Sequence, residues 1–377
     1  MCGELRRIIP IAHPLIGREE IDAVTSVLKS GILTSKHGDG PYVKRFEETF
    51  AKYIGVKYAL TMSSGTAALH ASLMAAEVQS GDEVIVPSFA FAAVSEAVVL
   101  AGAKPVFVDI DPQTFCMDPS SFESAITSKT RAVIPVHLFG LMADMEKICE
   151  IARKHDIIII EDCAQAHGAA YNGRKAGSIG DFGCFSFYAS KNMTTGEGGM
   201  VTVNRREYAE ALASIRNHGE GKLYNSERVG HNYRMSEVAA AIGYNQLLKL
   251  PRFNDARRRN ANKLTSLLEA SGKLILPQEP QGYSHSWYVY TVRLRGSRAG
   301  ERDKVVDKLV NSGIQAAVYY RTPLHLSPLY RRRYGYRRGA LPKTETAARQ
   351  VFSLPVHPGL TDEDLEFIAQ RLSKVID

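Results

Sequence analysis

The stretch Ile157-Ile158-Ile159-Ile160-Glu161-Asp162-Cys163-Ala164-Gln165-Ala166-His167-Gly168 joins four isoleucines to an acidic pair. Four consecutive apolar residues leave no polar face, which is typical of a strand covered by helices on both sides of a mostly parallel sheet. An acidic pair at the carboxyl end of such a strand lies where α/β sheets bind ligands. The stretch therefore predicts an α/β fold with a ligand site at residues 161 and 162. The alternative is that Asp162 caps the next helix and Glu161 points to solvent.

The flanking segments repeat this alternation of strand and helix. Helical stretches such as 66–79 and 143–154 separate the strand-length apolar runs, as expected for an α/β domain. The runs are 58–63, 83–88, 105–110, 132–138, 157–163, 182–188 and 200–204. We therefore predict a mostly parallel seven-stranded sheet sandwiched by helices.

The pattern changes after about residue 205. Helices are predicted at 206–217 and 236–250, followed by Pro251 and a polar helix over 252–271. The remaining residues mix strands at 286–294 and 314–320 with a helix at 302–312, and Thr361 with Asp364 forms a capping box for a final helix to Val375. We predict a large domain of residues 1–250 and a smaller C-terminal α+β domain of residues 251–377.

Length and composition exclude several classes of protein. A chain of 377 residues with 45% hydrophobic and 23% charged residues has material for a large core, so disordered and fibrous proteins are excluded. The net charge of +7, from 47 basic and 40 acidic residues, raises the question of a polyanionic partner. The densest basic stretch, 330–338, interleaves arginine with tyrosine. It is either a solvated loop or a phosphate-binding surface.

The cysteines and the start of the chain predict the compartment. Five cysteines without a close pair indicate neither a disulfide framework nor a zinc site, and we predict no metal. Pro10, His13 and Pro14 interrupt any signal-peptide core, and no apolar run reaches the roughly 18 residues that a membrane span needs. We therefore expect a cytoplasmic protein that is neither secreted nor embedded in a membrane.

A second motif, Ser63-Ser64-Gly65-Thr66-Ala67, lies between a predicted strand and a predicted helix. Glycine allows a ligand to approach the backbone closely, and the free N–H groups of a helix start favour a phosphate. The alternative is a tight turn capped by serine or threonine.

A third motif, Phe185-Ser186-Phe187-Tyr188-Ala189-Ser190-Lys191-Asn192, precedes the glycine-rich residues 195–199. A lysine that leaves a strand end beside glycines could form a Schiff base, although most lysines are merely exposed. A phosphate cradle, an acid at a strand end and a downstream lysine are together the parts that hold pyridoxal phosphate.

With these motifs, the sequence resembles the DegT/DnrJ/StrS family of sugar aminotransferases, which are fold-type I pyridoxal phosphate enzymes. The resemblance spans nearly the whole chain. It rests on S-G-T-A-A-L-H at 64–70, P-S-F-A-F at 87–91, E-D-C-A-Q-A-H-G at 161–168, F-S-F-Y-A-S-K-N-M-T-T-G-E-G-G at 185–199, R-N-H-G at 216–219, G-H-N-Y-R-M at 230–235 and P-L-H at 323–325.

The resemblance implies roles for individual cofactor-binding residues. Lys191 would bond covalently to the cofactor and, once released, carry the proton between substrate and cofactor. Asp162 would pair with the ring nitrogen, and Gln165 would hydrogen-bond the phenolic oxygen of the ring. Phe91 would stack on the ring face. The phosphate ligands would be Gly65, Thr66, Ala67 and Ser186.

The resemblance also implies a partner and a substrate. Asn232 would reach the phosphate bound by the neighbouring subunit, so that a homodimer shares its active sites. The expected substrates are a nucleotide-linked keto-sugar and an amino donor, glutamate, in the synthesis of amino-sugars and polysaccharides. The expected substrate-facing residues are Tyr319, Tyr320, Arg321, His325 and, in the basic stretch, Arg331.

Alternatives to this function remain open. Ala90 stands where the family often has a hydroxyl residue, which leaves the hydrogen bonds near the ring undetermined. Relatives with histidine in place of the lysine are dehydratases, but Lys191 is present, which favours transamination. The catalytic alternatives are a sugar dehydratase and a transaminase of a cyclitol. The non-catalytic alternative is a regulatory protein that binds a polyanion, and nucleic acid is not the expected partner.

Overall fold

The structure is a computed structural model that describes residues 8–36, 40–222, 224–296 and 300–376. Cys2 lies outside these residues. Within them, the helices are α1 Arg18–Ser30, α2 Pro41–Ile54, α3 Gly65–Ala75, α4 Ala93–Leu100, α5 Pro119–Ser124, α6 Met145–Lys154, α7 Arg206–Arg216, α8 Glu237–Leu268, α9 Glu301–Asn311, α10 Pro328–Tyr334, α11 Pro342–Gln350 and α12 Asp362–Ile376, with 3₁₀ turns at Leu138–Gly140 and Leu324–Leu326. The strands are β1 Tyr58–Met62, β2 Glu83–Pro87, β3 Lys104–Val108, β4 Thr130–Val133, β5 Ile158–Asp162, β6 Ala170–Tyr171, β7 Arg174–Lys175, β8 Phe182–Ser186, β9 Gly199–Val203, β10 Glu220–Lys222, β11 Asn225–Ser226, β12 Leu274–Ile275, β13 Tyr283–Ser284, β14 Tyr290–Leu294 and β15 Val351–Leu354.

The seven predicted apolar runs form one seven-stranded sheet in the order β1-β9-β8-β5-β4-β2-β3. Only β9 runs against its neighbours, β1 and β8, and the remaining pairs are parallel. Helices flank this sheet, with α3 packed on β8 and β9 and α6 packed on β5. The predicted mostly parallel sheet flanked by helices is confirmed.

Helix α8 runs unbroken from Glu237 to Leu268 and contains Pro251. The predicted interruption at this proline is wrong. A proline inside a helix removes one backbone hydrogen bond, but Leu247, Leu250 and Phe253 are buried on either side of it. Tertiary packing therefore holds the helix together across the missing bond.

The C-terminal residues build a second core around a three-stranded antiparallel sheet, β12-β14-β15. Leu264, Tyr290, Phe352 and Leu372 belong to this core, which is separate from the core around the large sheet. The predicted strand at 314–320 is wrong, because this segment makes only isolated bridges at Ile314 and Ala317. The two cores support a division near residue 250, which we retain as a proposal.

The final helix begins as predicted with a capping box. The Thr361 N–H donates to Asp364 Oδ2 at 3.0 Å, and the Asp364 N–H donates to Thr361 Oγ1 at 3.2 Å. Among the helices in the described ranges, none has both the length and the apolar content that a bilayer crossing requires.

Glu161 ties the central strand β5 to the segment that leads into β8. Its carboxylate is fully buried and accepts hydrogen bonds from His137 Nε2 at 2.9 Å and from the N–H groups of Gly177, Ile179 and Gly180 at 3.0, 2.8 and 2.7 Å. The alternative in which Glu161 points to solvent is therefore wrong. Burial acts to raise the pKa of Glu161, but the bonds from His137 and the backbone outweigh it and hold this pKa below its usual range.

We expect Glu161→Gln to lower the free energy of unfolding by roughly 3 kcal/mol, because the amide NH₂ cannot accept from His137 and a backbone N–H. The lowered pKa adds a pH dependence. The stabilisation by Glu161 is complete above its unfolded-state pKa of 4.5 and is lost as the pH falls below that value. Urea denaturation of both proteins at pH 7 and at acidic pH measures this.

Glu210→Gln is the matched control, because Glu210 forms an exposed ion pair with Arg206 on α7. This control is expected to change stability by less than about 0.5 kcal/mol. Equal effects of the two substitutions would contradict the anchoring role of Glu161.

Candidate active site

A cavity of about 390 Å³ lies at the carboxyl ends of β5 and β8, where the start of α3 meets them. Ligands of α/β sheets bind at this edge. Nine of the predicted site residues line the cavity: Gly65, Thr66, Phe91, Asp162, Gln165, Ser186, Lys191, Tyr319 and Tyr320. The fold thus brings together residues that are separated by up to 255 positions in the chain, from Gly65 to Tyr320.

A larger cleft, of about 610 Å³, lies at the opposite edge of the sheet, beside the start of β5. Both arginine and acidic side chains line it: Glu77, Arg131, Arg153, Asp156, Asp181, Arg205, Glu207 and Arg228. These four arginines and four acids balance in charge. The smaller cavity, which contains the predicted lysine and carboxylate, is therefore the candidate active site.

The start of α3 forms one wall of the cavity. The first N–H groups of a helix have no acceptor within the helix. Ser64 Oγ accepts from the Ala67 N–H at 3.0 Å, while Gly65 and Thr66 line the cavity. Ala67 is buried and does not line it. A Cβ at Gly65 would lie 2.7 Å from Ser186 Cβ, so this position requires glycine.

Asp162 ends β5 with its carboxylate at the cavity wall. Its Oδ1 accepts from the Ala164 N–H at 2.9 Å, and in the described ranges Oδ2 has no hydrogen-bond partner. Burial raises the pKa of Asp162, although the Ala164 N–H and the charge of Lys191 oppose the rise. The cavity therefore holds a desolvated carboxylate with one oxygen available to a cationic or N–H ligand.

Gln165 follows three residues after Asp162, and its amide is held from both ends. Its Oε1 accepts from the Phe139 N–H at 2.8 Å, and its Nε2 donates to the Tyr320 hydroxyl at 2.7 Å. These bonds fix which end of the amide is the donor. The second N–H of Nε2 is then the group that can face a ligand.

Lys191 enters the cavity from the turn after β8. Its ammonium lies 4.7 Å from the centroid of the Tyr288 ring. The hydroxyl oxygen of Tyr288 lies 3.0 Å from Ser190 Oγ. Sequence reasoning missed Tyr288, because alternation in the segment 286–294 predicted only a strand residue. It also missed Tyr188, Ser190 and Glu197 as lining residues, although all three lie in or beside the lysine motif.

Phe91 lines the cavity and is 65% exposed in the single chain, so it is not a core residue. Phe89, two residues earlier, is the fully buried aromatic, and its ring packs 5.2 Å from that of Tyr320. The exposed ring of Phe91 is available to a ligand or to another chain.

The structure does not bring His325 to the cavity. Its imidazole is fully buried, with Nδ1 2.6 Å from Ser88 Oγ and Nε2 3.3 Å from Glu345 Oε1. Both ring nitrogens are therefore engaged within the protein, which corrects the expectation that His325 faces the substrate. Asn232 is exposed and likewise lies outside the cavity of its own chain.

The basic stretch 330–338 begins in α10 and continues as a loop, and its tyrosines anchor it to β3. The rings of Tyr330 and Tyr336 pack 5.0 and 5.3 Å from Phe107. Arg331 does not line the candidate active site, but it lines a third cavity, of about 260 Å³. The other arginines of that cavity are Arg321, Arg338 and Arg349.

His137, Glu161 and Cys163 are close enough together to be considered as metal ligands. The Ala143 N–H donates to His137 Nδ1 at 3.1 Å, so Nε2 carries the hydrogen that Glu161 accepts. Burial raises the pKa of the Cys163 thiol well above its usual value. These groups satisfy one another, and the cluster is explained as a structural hydrogen-bond network.

The model of the DegT/DnrJ/EryC1/StrS aminotransferase family matches residues 14–373. The chain belongs to this family. Membership confirms the family predicted from the motifs and the predicted class of enzyme, an aminotransferase.

Similar proteins extend this assignment. The chain is 42% identical to the pleiotropic regulatory protein of Geobacillus stearothermophilus, over 93% of this chain and 94% of that protein. It is 40% identical to the UDP-N-acetyl-3-dehydro-alpha-D-glucosamine 3-aminotransferase of Acidithiobacillus ferrooxidans, over 88% of each chain. The structure of Streptococcus pneumoniae Spr1654 in its PLP form superposes with a TM-score of 0.92, at 31% identity and 98% coverage of each chain.

We expect Asp162→Asn to stabilise the cofactor-free protein at pH 7, because the buried carboxylate with a raised pKa is costly to ionise. A raised pKa means that the folded state binds more protons than the unfolded state above pH 3.8. The advantage of the variant should therefore appear as the pH rises above 3.8 and vanish below it. Thermal unfolding temperatures across this pH range measure the effect.

Asp255→Asn, at an exposed position of α8, is the control and should match the wild type at every pH. A less stable Asp162→Asn protein at pH 7 would contradict the account of this carboxylate.

Proposed function

We propose that this aminotransferase uses pyridoxal 5'-phosphate to move an amino group from glutamate to a nucleotide-linked keto-sugar. The observation that carries the proposal is that Lys191 and Asp162 share one cavity with the start of α3. Further support comes from the PLP form of a structural relative and from a relative named for a UDP-linked 3-dehydro sugar.

The residues of the cavity fit the proposed cofactor. Gly65 approaches Ser186 so closely that a side chain has no room, and the N–H groups of Gly65 and Thr66, which line the cavity, would face a phosphate, whereas the Ala67 N–H is held by Ser64 Oγ. Asp162 Oδ2 is available to a protonated ring nitrogen, and Lys191 supplies an amine for covalent attachment. Phosphate, ring nitrogen and aldehyde thus each have a residue of matching chemistry.

When bound, pyridoxal phosphate supplies an electron sink for the charge that develops on the substrate carbon. The chain contributes positioning and proton transfer. Asp162 would hold the proton on the ring nitrogen, because an ionised carboxylate in a desolvated site strongly favours a cation beside it. Lys191 would take the proton from the donor carbon and later return a proton to the sugar carbon.

Two further residues would orient the cofactor ring. Gln165 would donate its second Nε2 hydrogen to the phenolic oxygen, because its other hydrogen is committed to Tyr320. Phe91 would stack on the ring, and its exposure in the single chain leaves its face available. Ala90, which is buried, offers no hydrogen bond there.

The substrate side of the site would use Tyr319 and Tyr320, which line the cavity. The diphosphate of a nucleotide-sugar needs cationic partners, and guanidinium groups bind phosphates in a bidentate manner. Arg321 follows Tyr320 directly and lines the basic cavity together with Arg331. We therefore assign diphosphate binding to this basic cavity. His325, which is buried and bound to Ser88 and Glu345, would hold in place the 3₁₀ turn that follows Arg321.

The proposal includes a homodimer with shared active sites. Asn232 is exposed and lies outside the cavity of its own chain. Its backbone pairs with Asn217, and Arg234 donates to the Asn217 side chain at 2.7 Å, so the segment is held firmly. A partner subunit would receive the Asn232 amide at its own cofactor phosphate.

The rival functions differ in their chemistry. A regulatory, non-catalytic protein is raised by the name of the Geobacillus stearothermophilus relative, but such a protein has no use for a lysine and a desolvated carboxylate in one cavity. A dehydratase or a cyclitol transaminase would use the same cofactor and differ in substrate.

We further propose a cytoplasmic location, because Cys116, Cys149, Cys163 and Cys184 are free thiols.

We expect Lys191→Ala to keep the fold and to lower amino transfer by at least ~10³-fold, because both covalent attachment and proton transfer are lost. The measurements are the visible absorbance of the protein with added cofactor and the transfer from glutamate to a panel of nucleotide-linked 3-keto and 4-keto sugars, with product position determined by NMR.

Lys154→Ala, an exposed lysine on α6, is the control and should behave as the wild type. Absence of an absorbance band in the wild type after cofactor addition would exclude every catalytic function considered. Full activity of the Lys191→Ala protein would exclude the role of this lysine, and transfer to a cyclitol but to no sugar would exclude the sugar substrate.

We expect Asn232→Ala to weaken cofactor affinity by roughly tenfold, the effect of losing a hydrogen bond to a charged group. Asn225→Ala, at an exposed position in the same region, should have no effect. The decisive measurement mixes Lys191→Ala and Asn232→Ala subunits. In a shared-site dimer, one site of each hybrid then contains both native residues and recovers normal affinity and activity.

No recovery in the hybrid, together with an unchanged affinity after dilution to monomers, would overturn the shared site.

A further inference from the structure

Tyr288 lines the cavity but has no role in the reaction proposed above. The ammonium of Lys191 lies 4.7 Å from the centroid of its ring. In the described part of the chain, this ammonium forms neither an ion pair nor a hydrogen bond, so the ring face is its direct contact. A cation over an aromatic face is attracted by the ring quadrupole, and the attraction grows where water is excluded.

The ring is held in this orientation from several sides. Tyr288 is only 5% exposed, and its hydroxyl is 3.0 Å from Ser190 Oγ. Its N–H donates to the Phe139 carbonyl at 3.1 Å, and its own carbonyl accepts from the buried Arg257 guanidinium at 3.0 Å. Side chain and backbone are therefore both fixed, and the ring is a rigid platform beside the lysine.

We propose that the face of Tyr288 stabilises the positive charge that Lys191 carries after it has accepted a proton, because the ring lies directly beside Nζ. Tyr288 is then a positioning residue for the proton carrier of the reaction. This inference rests on the proposed function.

The ammonium arises during the reaction itself. When the C–H bond of the amino donor breaks, its proton would move to the neutral Nζ of Lys191, and bound pyridoxal phosphate would supply the electron sink for the bonding pair. The ring stabilises the ammonium so formed, and returning a proton to carbon restores the neutral amine.

Two other roles of Tyr288 have to be separated from this one. Its hydroxyl could act through Ser190, and its bulk could simply fill the core, since it packs against Tyr319 with ring centroids 6.2 Å apart. Asp162 also attracts Lys191. The test therefore has to change the charge distribution of the ring without changing its shape. Asp162 has to be present in every variant.

The first experiment needs no cofactor. Position 288 is filled with phenylalanine and with mono-, di- and trifluorophenylalanine, because fluorine withdraws charge from the ring face with little change of shape. The rate at which acetic anhydride labels Lys191 is measured by mass spectrometry, with exposed Lys154 as the internal reference. Only the neutral amine reacts.

We expect the Tyr288→Phe protein to label within about twofold of the wild type, and the labelling rate to rise with each fluorine to about tenfold for the trifluoro ring. A rate that does not depend on fluorine would overturn the inference. A large increase already in Tyr288→Phe would assign the effect to the hydroxyl and overturn it as well.

The second experiment uses the cofactor-loaded enzyme and a single turnover with glutamate, either normal or deuterated at the reacting carbon. Tyr288→Leu, which removes the ring face, should slow this half-reaction about tenfold with a larger deuterium isotope effect, whereas Tyr288→Phe should not. A slower reaction with an unchanged isotope effect would indicate packing and overturn the inference.

Failure of the inference and failure of the proposed function are distinguishable. A wild-type protein that binds no cofactor would refute the proposed function. Normal turnover of the wild type, together with Lys191 labelling that does not change along the fluorinated series at position 288, would refute the role of Tyr288 alone. The fluorinated series also remains decisive if Tyr288→Leu does not fold.

Discussion

The geometry of the site depends on the hydrogen bonds that the buried carboxylate of Glu161 accepts. Successive residues of a strand point to opposite faces of the sheet. Because Glu161 is bound on one side by His137 and three backbone N–H groups, Asp162 has to project to the other side, at the cavity. One satisfied acid thus fixes the orientation of its unsatisfied neighbour. The three backbone bonds, from Gly177, Ile179 and Gly180, fasten β5 to the segment before β8, and Lys191 follows that strand.

The two adjacent acids show how one chain gives similar side chains different roles. Glu161 has its full set of donors, and its pKa lies below the usual range despite burial. Asp162 has a single backbone donor, and burial raises its pKa. A carboxylate left in this state costs stability in the empty protein, and the cost becomes useful when a cationic ligand pairs with it. Functional sites are expected to lower the stability of the folded protein in this way.

Features that depend on neighbouring residues follow from the sequence, whereas features that depend on distant contacts do not. The apolar runs, the start of α3 and the capping box at Thr361 depend on residues a few positions apart, and these predictions are confirmed. The resemblance places His325 on the substrate side, but Ser88, 237 positions earlier in the chain, binds its imidazole. The break that Pro251 predicts is absent for the same reason, because packing across α8 outweighs a local propensity.

The sequence by itself determined the class of fold, the family and the pair of chemical groups, Lys191 and Asp162, since motif order and hydrophobic periodicity are written in the chain. Only the tertiary structure decided what surrounds those groups. It turned Gln165 by bonds to Phe139 and Tyr320, divided the arginines of 330–338 between solvent and a basic cavity, and laid Tyr288 beneath the lysine. The contact of Gln165 with Tyr320 spans 155 positions of the chain and that of Lys191 with Tyr288 spans 97, so no local sequence pattern can encode them.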